Sequence, residues 1–177
     1  MEKILFTEEQ RFNQWWRWVI MGLSLLAVLV PFSIGIYSQV VLDKPFGDDP
    51  MSTEGLIATG AATILILSII LLMMFKAKLK TKVTNRVLFV AFPPFFRKWK
   101  TILPSDIERY EIRTYRANRE YGGYGVKRGR RKSGTAYIIS GNTGMQLYFK
   151  NGKKLLIGTQ KKQAFEYAMR NLMEGEE

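Results

Sequence analysis

The sequence predicts an α+β protein: a bent antiparallel sheet or small barrel of about seven strands, capped by a C-terminal helix, behind two transmembrane helices. Three observations predict this. Residues 19–42 and 55–75 form two runs without a charged side chain. After Lys76, apolar and polar residues alternate with the period of two that strands require, between breaks of Gly, Pro and Asn. The final segment, residues 160–173, places Phe165, Ala168, Met169 and Leu172 at the three- and four-residue spacing of one helix face, with Thr159 available to cap its start.

Residues 1–18 predict an interfacial amphipathic helix. Thr7 and Gln10 have capping-box spacing, and Phe12, Trp15, Trp16 and Val19 recur at helical intervals. Trp15, Trp16 and Trp18 suit the headgroup region, because indole joins an apolar body to a polar N–H, and Arg17 can extend its charge toward phosphates. Residues 19–42 and 55–75 are the spans. At 1.5 Å per residue the second covers about 31 Å, against a hydrocarbon core of about 30 Å. The first run is too long for a signal peptide and lacks a small-residue cleavage site. Pro31 and Gly35 predict a kink in the first helix, and Gly55, Ala58, Thr59, Ala61 and Ala62 a close-packing face on the second. The absence of ionisable groups from both runs argues against a pump or transporter.

Charge sets the expected orientation. Of 27 Lys and Arg, 23 follow residue 75, with Lys76, Lys78, Lys80 and Lys82 directly behind the second run, while the loop 43–54 carries Asp43, Asp48, Asp49 and Glu54. Basic flanks stay cytoplasmic. The loop 43–54 is therefore read as extracytoplasmic, both termini as cytoplasmic, and residues 76–177 as a domain on the cytoplasmic face of the inner membrane.

Within that domain, Lys78, Lys80 and Lys82 alternate with Leu79, Thr81 and Val83, which puts the lysines on one face of a strand. A second strand runs over 87–92, and Pro93-Pro94 interrupts the sheet. The segment 95–103 has no cleanly apolar face, which suits a sheet edge. Residues 107–116 alternate again. Residues 121–134 mix Gly122, Gly123, Gly125, Gly129 and Gly134 with Lys127, Arg128, Arg130, Arg131 and Lys132, so a basic loop or irregular strand is expected. Strands over 135–140 and 145–150 follow, and Asn151-Gly152 predicts a tight hairpin with positive φ at both central positions before the return strand 153–159.

Four stretches carry a family resemblance: Leu103-Pro104-Ser105-Asp106-Ile107, Tyr121-Gly122-Gly123-Tyr124-Gly125-Val126-Lys127, Thr135-Ala136-Tyr137, and Gly152-Lys153-Lys154-Leu155-Leu156-Ile157-Gly158-Thr159. Together they resemble the bacterial pleckstrin-homology-like (PH-like) domain found behind transmembrane hairpins in bacterial membrane proteins. The last stretch is the most distinctive, although this chain has Lys161-Lys162 where members of that family often carry Pro-Glu. The resemblance implies a bent sheet closed by the terminal helix, and it implies no particular ligand.

The chain has no His and no Cys, which removes the commonest general base, the thiol nucleophile and the usual soft metal ligands. Its carboxylates lack acid–base or metal-loop spacing. No enzyme activity, cofactor or metal is expected. The glycines of 122–125 form neither a dinucleotide fingerprint nor a phosphate loop. Nucleic acid is disfavoured as a partner, because no RNA-reading signature accompanies the basic loop. Two uses of the basic clusters stay open. Lys127, Arg128, Arg130, Arg131, Lys132 and Lys76, Lys78, Lys80, Lys82 can contact anionic headgroups or an acidic partner, or can serve solvation and topology alone. The expected function is that of a membrane-anchored binding or scaffold module with an unidentified protein partner, oriented by lipid and open to homo-oligomerisation. The alternative is an auxiliary or regulatory subunit of a larger transporter or envelope enzyme, bound through the hairpin.

Overall fold

The computed structural model describes residues 2–12, 15–129 and 133–175, apart from the side chain of Arg17. It divides into two compact units, residues 13–75 and a second built from residues 1–12 together with 76–177.

The first unit is a helical hairpin. Helices α1 (Trp15–Val40) and α2 (Thr53–Lys76) contain apolar stretches Trp18–Val40 and Thr53–Lys76, each long enough to cross a membrane and only 6% buried within the chain. Such coverage is unlike that of a soluble core helix, which hides its apolar surface from water. Helix α1 continues through Pro31. The close approach is made at Gly60, where an added Cβ would lie 2.9 Å from the Phe32 ring, and at Gly35, which faces Phe46 and Leu56. Ala58, Thr59, Ala61 and Ala62, the small residues read as a packing face, remain exposed. At the loop, Gln39 Nε2 donates to the Met51 carbonyl at 3.0 Å and Thr53 Oγ1 to Gln39 Oε1 at 3.2 Å.

The second unit holds nine strands among the described residues, in two sheets, with one long helix. Strands β1 (Ile4–Arg11), β2 (Lys78–Thr84), β3 (Leu88–Phe92) and β4 (Phe96–Ile102) form an antiparallel meander in that spatial order. Strands β5 (Ile107–Thr114), β6 (Gly125–Arg128), β7 (Thr135–Ile138), β8 (Thr143–Phe149) and β9 (Lys154–Gly158) form the other sheet in the order β5-β8-β9-β7-β6. Helix α3 (Lys162–Glu174) packs on β1, β2, β5 and β8.

Strand β1 corrects the helix expected over residues 1–18. Its partner β2 lies beyond the whole helical hairpin, with Glu9 opposite Lys80 and Arg11 opposite Lys78. The alternation was hidden because the inward positions are Phe6, Glu8 and Gln10, two of them polar. The all-antiparallel expectation is also corrected, since β7 and β9 run parallel, with Tyr137 opposite Ile157. As the mixed pattern of residues 95–103 predicted, β4 is an edge strand.

Two further details differ. At the β8–β9 turn only Gly152 takes positive φ, 75°; its N–H donates to the Phe149 carbonyl at 2.8 Å, the longer-loop arrangement with a single left-handed glycine. Thr159 does not occupy the N-cap of α3. That position is Lys161, whose N–H donates to Thr159 Oγ1 at 3.0 Å.

The main core lies between the inner face of the meander, with Leu79, Val83, Leu88, Val90 and Phe92, and Met145, Leu147 and Ile157 of the second sheet. Phe165, Ala168, Met169 and Leu172 of α3 close it, as their spacing predicted. The central strands β7, β8 and β9 of the second sheet are buried on both faces. Ala136, Ile138 and Leu156 point away from the main core and pack under Tyr115, Ala117 and Tyr121. Burial on both sides explains the nearly continuous apolar runs in β7 and β9.

Candidate functional site

Among the described residues, Lys78, Lys80 and Lys82 lie on one sheet and Lys127 and Arg128 on the other. Lys78, Lys80 and Lys82 stand on the outer face of β2, while Leu79, Thr81 and Val83 are buried beneath them. Strand β1 supplies a carboxylate to the same face. Glu9 lies 2.6 Å from Arg11 and 3.5 Å from both Lys78 and Lys80. The hydrogen bond from Arg11, with Lys78 and Lys80 behind it, holds the Glu9 carboxyl below the ordinary range against the opposing effect of burial. One carboxylate thus serves three cations. Exposed pairs of this kind add little stability and leave the face strongly positive.

Aromatic side chains extend the same face. Phe89 lies opposite Lys82 in the register, with the Lys82 ammonium 5.6 Å from its ring centroid. Trp99 of β4 meets Phe89 edge-on at 6.3 Å and is 47% exposed. Arg11, Glu9, Phe89 and Trp99 were missed as members of this surface by the sequence reading. The alternation of β2 signalled the lysines, but only the pairing of β1, β3 and β4 with it brings the others alongside.

Lys127 and Arg128 lie instead on β6, the short outer strand of the second sheet. Arg130, Arg131 and Lys132 lie outside the described residues. Lys76 is exposed at the last position of α2. Trp15, Trp16 and Trp18 are exposed in the first turns of α1, with Trp18 edge-on to Phe75 at 5.8 Å, and the Arg17 side chain lies outside the described residues.

Two polar clusters, one buried and one partly buried, organise the domain. At the start of α3, Glu8 is 6% exposed and accepts a hydrogen bond from the Thr159 hydroxyl at 2.6 Å and another from the Gln160 N–H at 2.9 Å. Gln10 Nε2 donates to the Gly158 carbonyl at 2.7 Å, and Phe6 stacks on Phe165 with centroids 4.9 Å apart. The inward face of β1 therefore fastens the β9–α3 junction.

The second cluster holds the segment after β5 across the sheet. Arg113 donates to Glu120 at 2.8 Å, to the Tyr121 hydroxyl at 2.8 Å and to Gln146 Oε1 at 3.1 Å. Glu120 also accepts from the Arg116 N–H at 2.7 Å. Burial raises the Glu120 carboxyl, but the Arg116 and Arg113 bonds outweigh it and hold the group below its ordinary range. Burial likewise pushes the phenols of Tyr115 and Tyr121 up.

A group whose folded pKa is depressed contributes stability above its unfolded pKa and loses it as pH falls through the folded value. Glu120→Gln is therefore expected to lower stability by about 1 kcal/mol at neutral pH, the scale of a partly exposed charge-assisted bond. The gap from the parent chain closes on acidification, because protonation removes the same bonds. Thermal melts of both chains across the acid range check this; a gap independent of pH contradicts it.

Among the described residues no group of three or more His, Cys, Asp or Glu is placed to hold a metal ion. Fold and surface together define an α+β domain interrupted by two helices long and apolar enough to cross a membrane, with Lys78, Lys80 and Lys82 on one sheet and Lys127 and Arg128 on the other. No family model matches the chain, and neither a curated protein nor a solved structure matches it.

Proposed function

We propose that this chain is an integral membrane protein that presents a basic PH-like domain at the cytoplasmic membrane surface as a binding or scaffold module for a protein partner, oriented by anionic lipid. The observation that carries this reading is the pairing of β1 with β2 across the helical hairpin. A hairpin inserted between two adjacent strands fastens the domain through both, with residues 12–14 on one side and Ala77 on the other. Both connections are short in sequence, so the domain is joined to the two helices at paired strands. An antiparallel meander, a second sheet and a closing helix support the PH-like assignment, while the parallel β7–β9 pair is a departure from the resemblance. The excess of Lys and Arg after the second helix supports the cytoplasmic side.

The chain has no cysteine, so a single introduced thiol is a unique reporter. Asp49→Cys in the loop is expected to react with an impermeant maleimide in intact cells, and Gln163→Cys on α3 only after permeabilisation. The reverse pattern, or recovery of the chain outside the membrane fraction, overturns the reading. A second reading, an auxiliary subunit held by its helices, draws on Ala58, Ala61 and Ala62, which lie outside the Phe32–Gly60 contact and are exposed. Under it, exchange of the hairpin for an unrelated one abolishes function while leaving the domain folded.

A further inference from the structure

We infer that the outer face of the four-stranded sheet, and not the basic loop, is the surface that docks on anionic lipid headgroups. The inference rests on the membrane-anchored reading above and deepens it by naming the face and its ligand.

Three observations select this face. The first is charge. Lys78, Lys80 and Lys82 project on one side of β2, Arg11 stands opposite Lys78, and Glu9 is the carboxylate paired among them. A negatively charged headgroup layer complements that surface. The second is the aromatic border. Trp99, half exposed and edge-on to Phe89, offers an apolar ring with an N–H donor, and Phe89 in turn carries the Lys82 ammonium 5.6 Å from its centroid, the combination of aromatic and cation that suits the boundary between headgroups and acyl chains. The third is connection. Both links to the helices leave from the Arg11–Lys78 end of the β1–β2 pair, since only residues 12–14 separate Arg11 from α1 and only Ala77 separates α2 from β2. An extended residue reaches about 3.5 Å, so these links are short beside the strands they tether. The loop cluster has no comparable connection. Lys127 and Arg128 sit on β6, the outer strand of the other sheet.

Docking is electrostatic with an aromatic contribution. The lysines supply attraction that salt screens, and Trp99 supplies contact that salt leaves in place. Each lysine near an anionic surface is expected to change the docked-to-undocked ratio about fivefold, and removal of three by about a hundredfold before screening.

The test uses the full chain in nanodiscs of phosphatidylcholine alone or mixed with phosphatidylglycerol. A bimane on Thr101→Cys, which lies opposite Phe89 on the outer face, is quenched by a nitroxide carried on a lipid headgroup; Gln163→Cys on α3 is the reference position. Stronger quenching at Thr101→Cys in the anionic discs, reduced by high salt and at least tenfold in docked ratio by Lys78→Gln, Lys80→Gln and Lys82→Gln together, supports the proposal. Retention of quenching when the three are changed to Arg shows that charge is responsible and that the sheet is intact. Equal quenching in both lipids, or loss of quenching on changing Lys127, Arg128, Arg130, Arg131 and Lys132 to Gln but not on changing the strand lysines, overturns it. A label unquenched by either lipid yet shielded from soluble quencher in native membranes also overturns it and assigns the face to a protein. The maleimide pattern at Asp49→Cys and Gln163→Cys is recorded in intact and permeabilised cells that express the same full chain. A failed pattern defeats the membrane-anchored reading, whereas a correct pattern with no quenching defeats only the docking face.

Discussion

A fragment beginning at Lys76 is expected to lose cooperative folding, and the same fragment is expected to regain it when residues 2–12 are joined to it through a short turn replacing the helical hairpin. The pairing explains both outcomes. Without β1 the meander exposes the edge of β2, Phe165 loses its stacking partner and the Thr159–Gln160 corner loses its acceptor. Burial of a Phe contributes about 1.5–3 kcal/mol and hydrogen bonds to a charged group about 1.5–3 kcal/mol, together a large share of the roughly 5–15 kcal/mol that holds a domain folded. Arg11 lies directly opposite Lys78, so a two-residue turn can join the strands without altering their register. Near-UV circular dichroism and amide dispersion distinguish the two chains. A well-dispersed spectrum from the fragment lacking β1 contradicts the prediction.

The second large effect is expected at the β1–α3 contact. Phe165 is fully buried and lies parallel to the Phe6 ring, so Phe165→Ala should cost about 3–5 kcal/mol through lost transfer energy and an unfilled cavity. Phe6→Ala acts on the same contact. The double variant should therefore be less destabilised than the sum of the two single ones by about 0.5–1.5 kcal/mol, the coupling typical of an aromatic pair. Denaturant titrations of the joined β domain measure the cycle. Strict additivity indicates that the stacking is energetically idle.

The parts of the molecule with one-sided chemistry were legible in the sequence. The charge-free runs, the lysines alternating along β2, the edge character of β4 and the apolar stripe of α3 each record a local environment in their own residue order. Strand β1 was not legible because its inward side is Phe6, Glu8 and Gln10, and Glu8 is inward only because Thr159 and Gln160 meet it there. The parallel pairing of β7 with β9 was hidden for a related reason: a strand buried on both faces shows an apolar run that does not reveal the direction of its neighbour. The candidate surface was legible as to its lysines. Its aromatic border and Glu9 come from strands whose neighbours only the fold determines.

Under the membrane-anchored reading, the insertion of the helices between β1 and β2 also ties closure of the sheet to the passage of both helices through the bilayer. Strand β1 is synthesised first and must wait while residues 12–77 are translated, on the order of 3–13 s at typical elongation rates, before β2 emerges. If both helices insert, the two strands meet on the same side and the sheet closes. If one helix fails to insert, the bilayer lies between them, β1 cannot pair with β2, and Phe165 lacks the Phe6 ring that stacks on it.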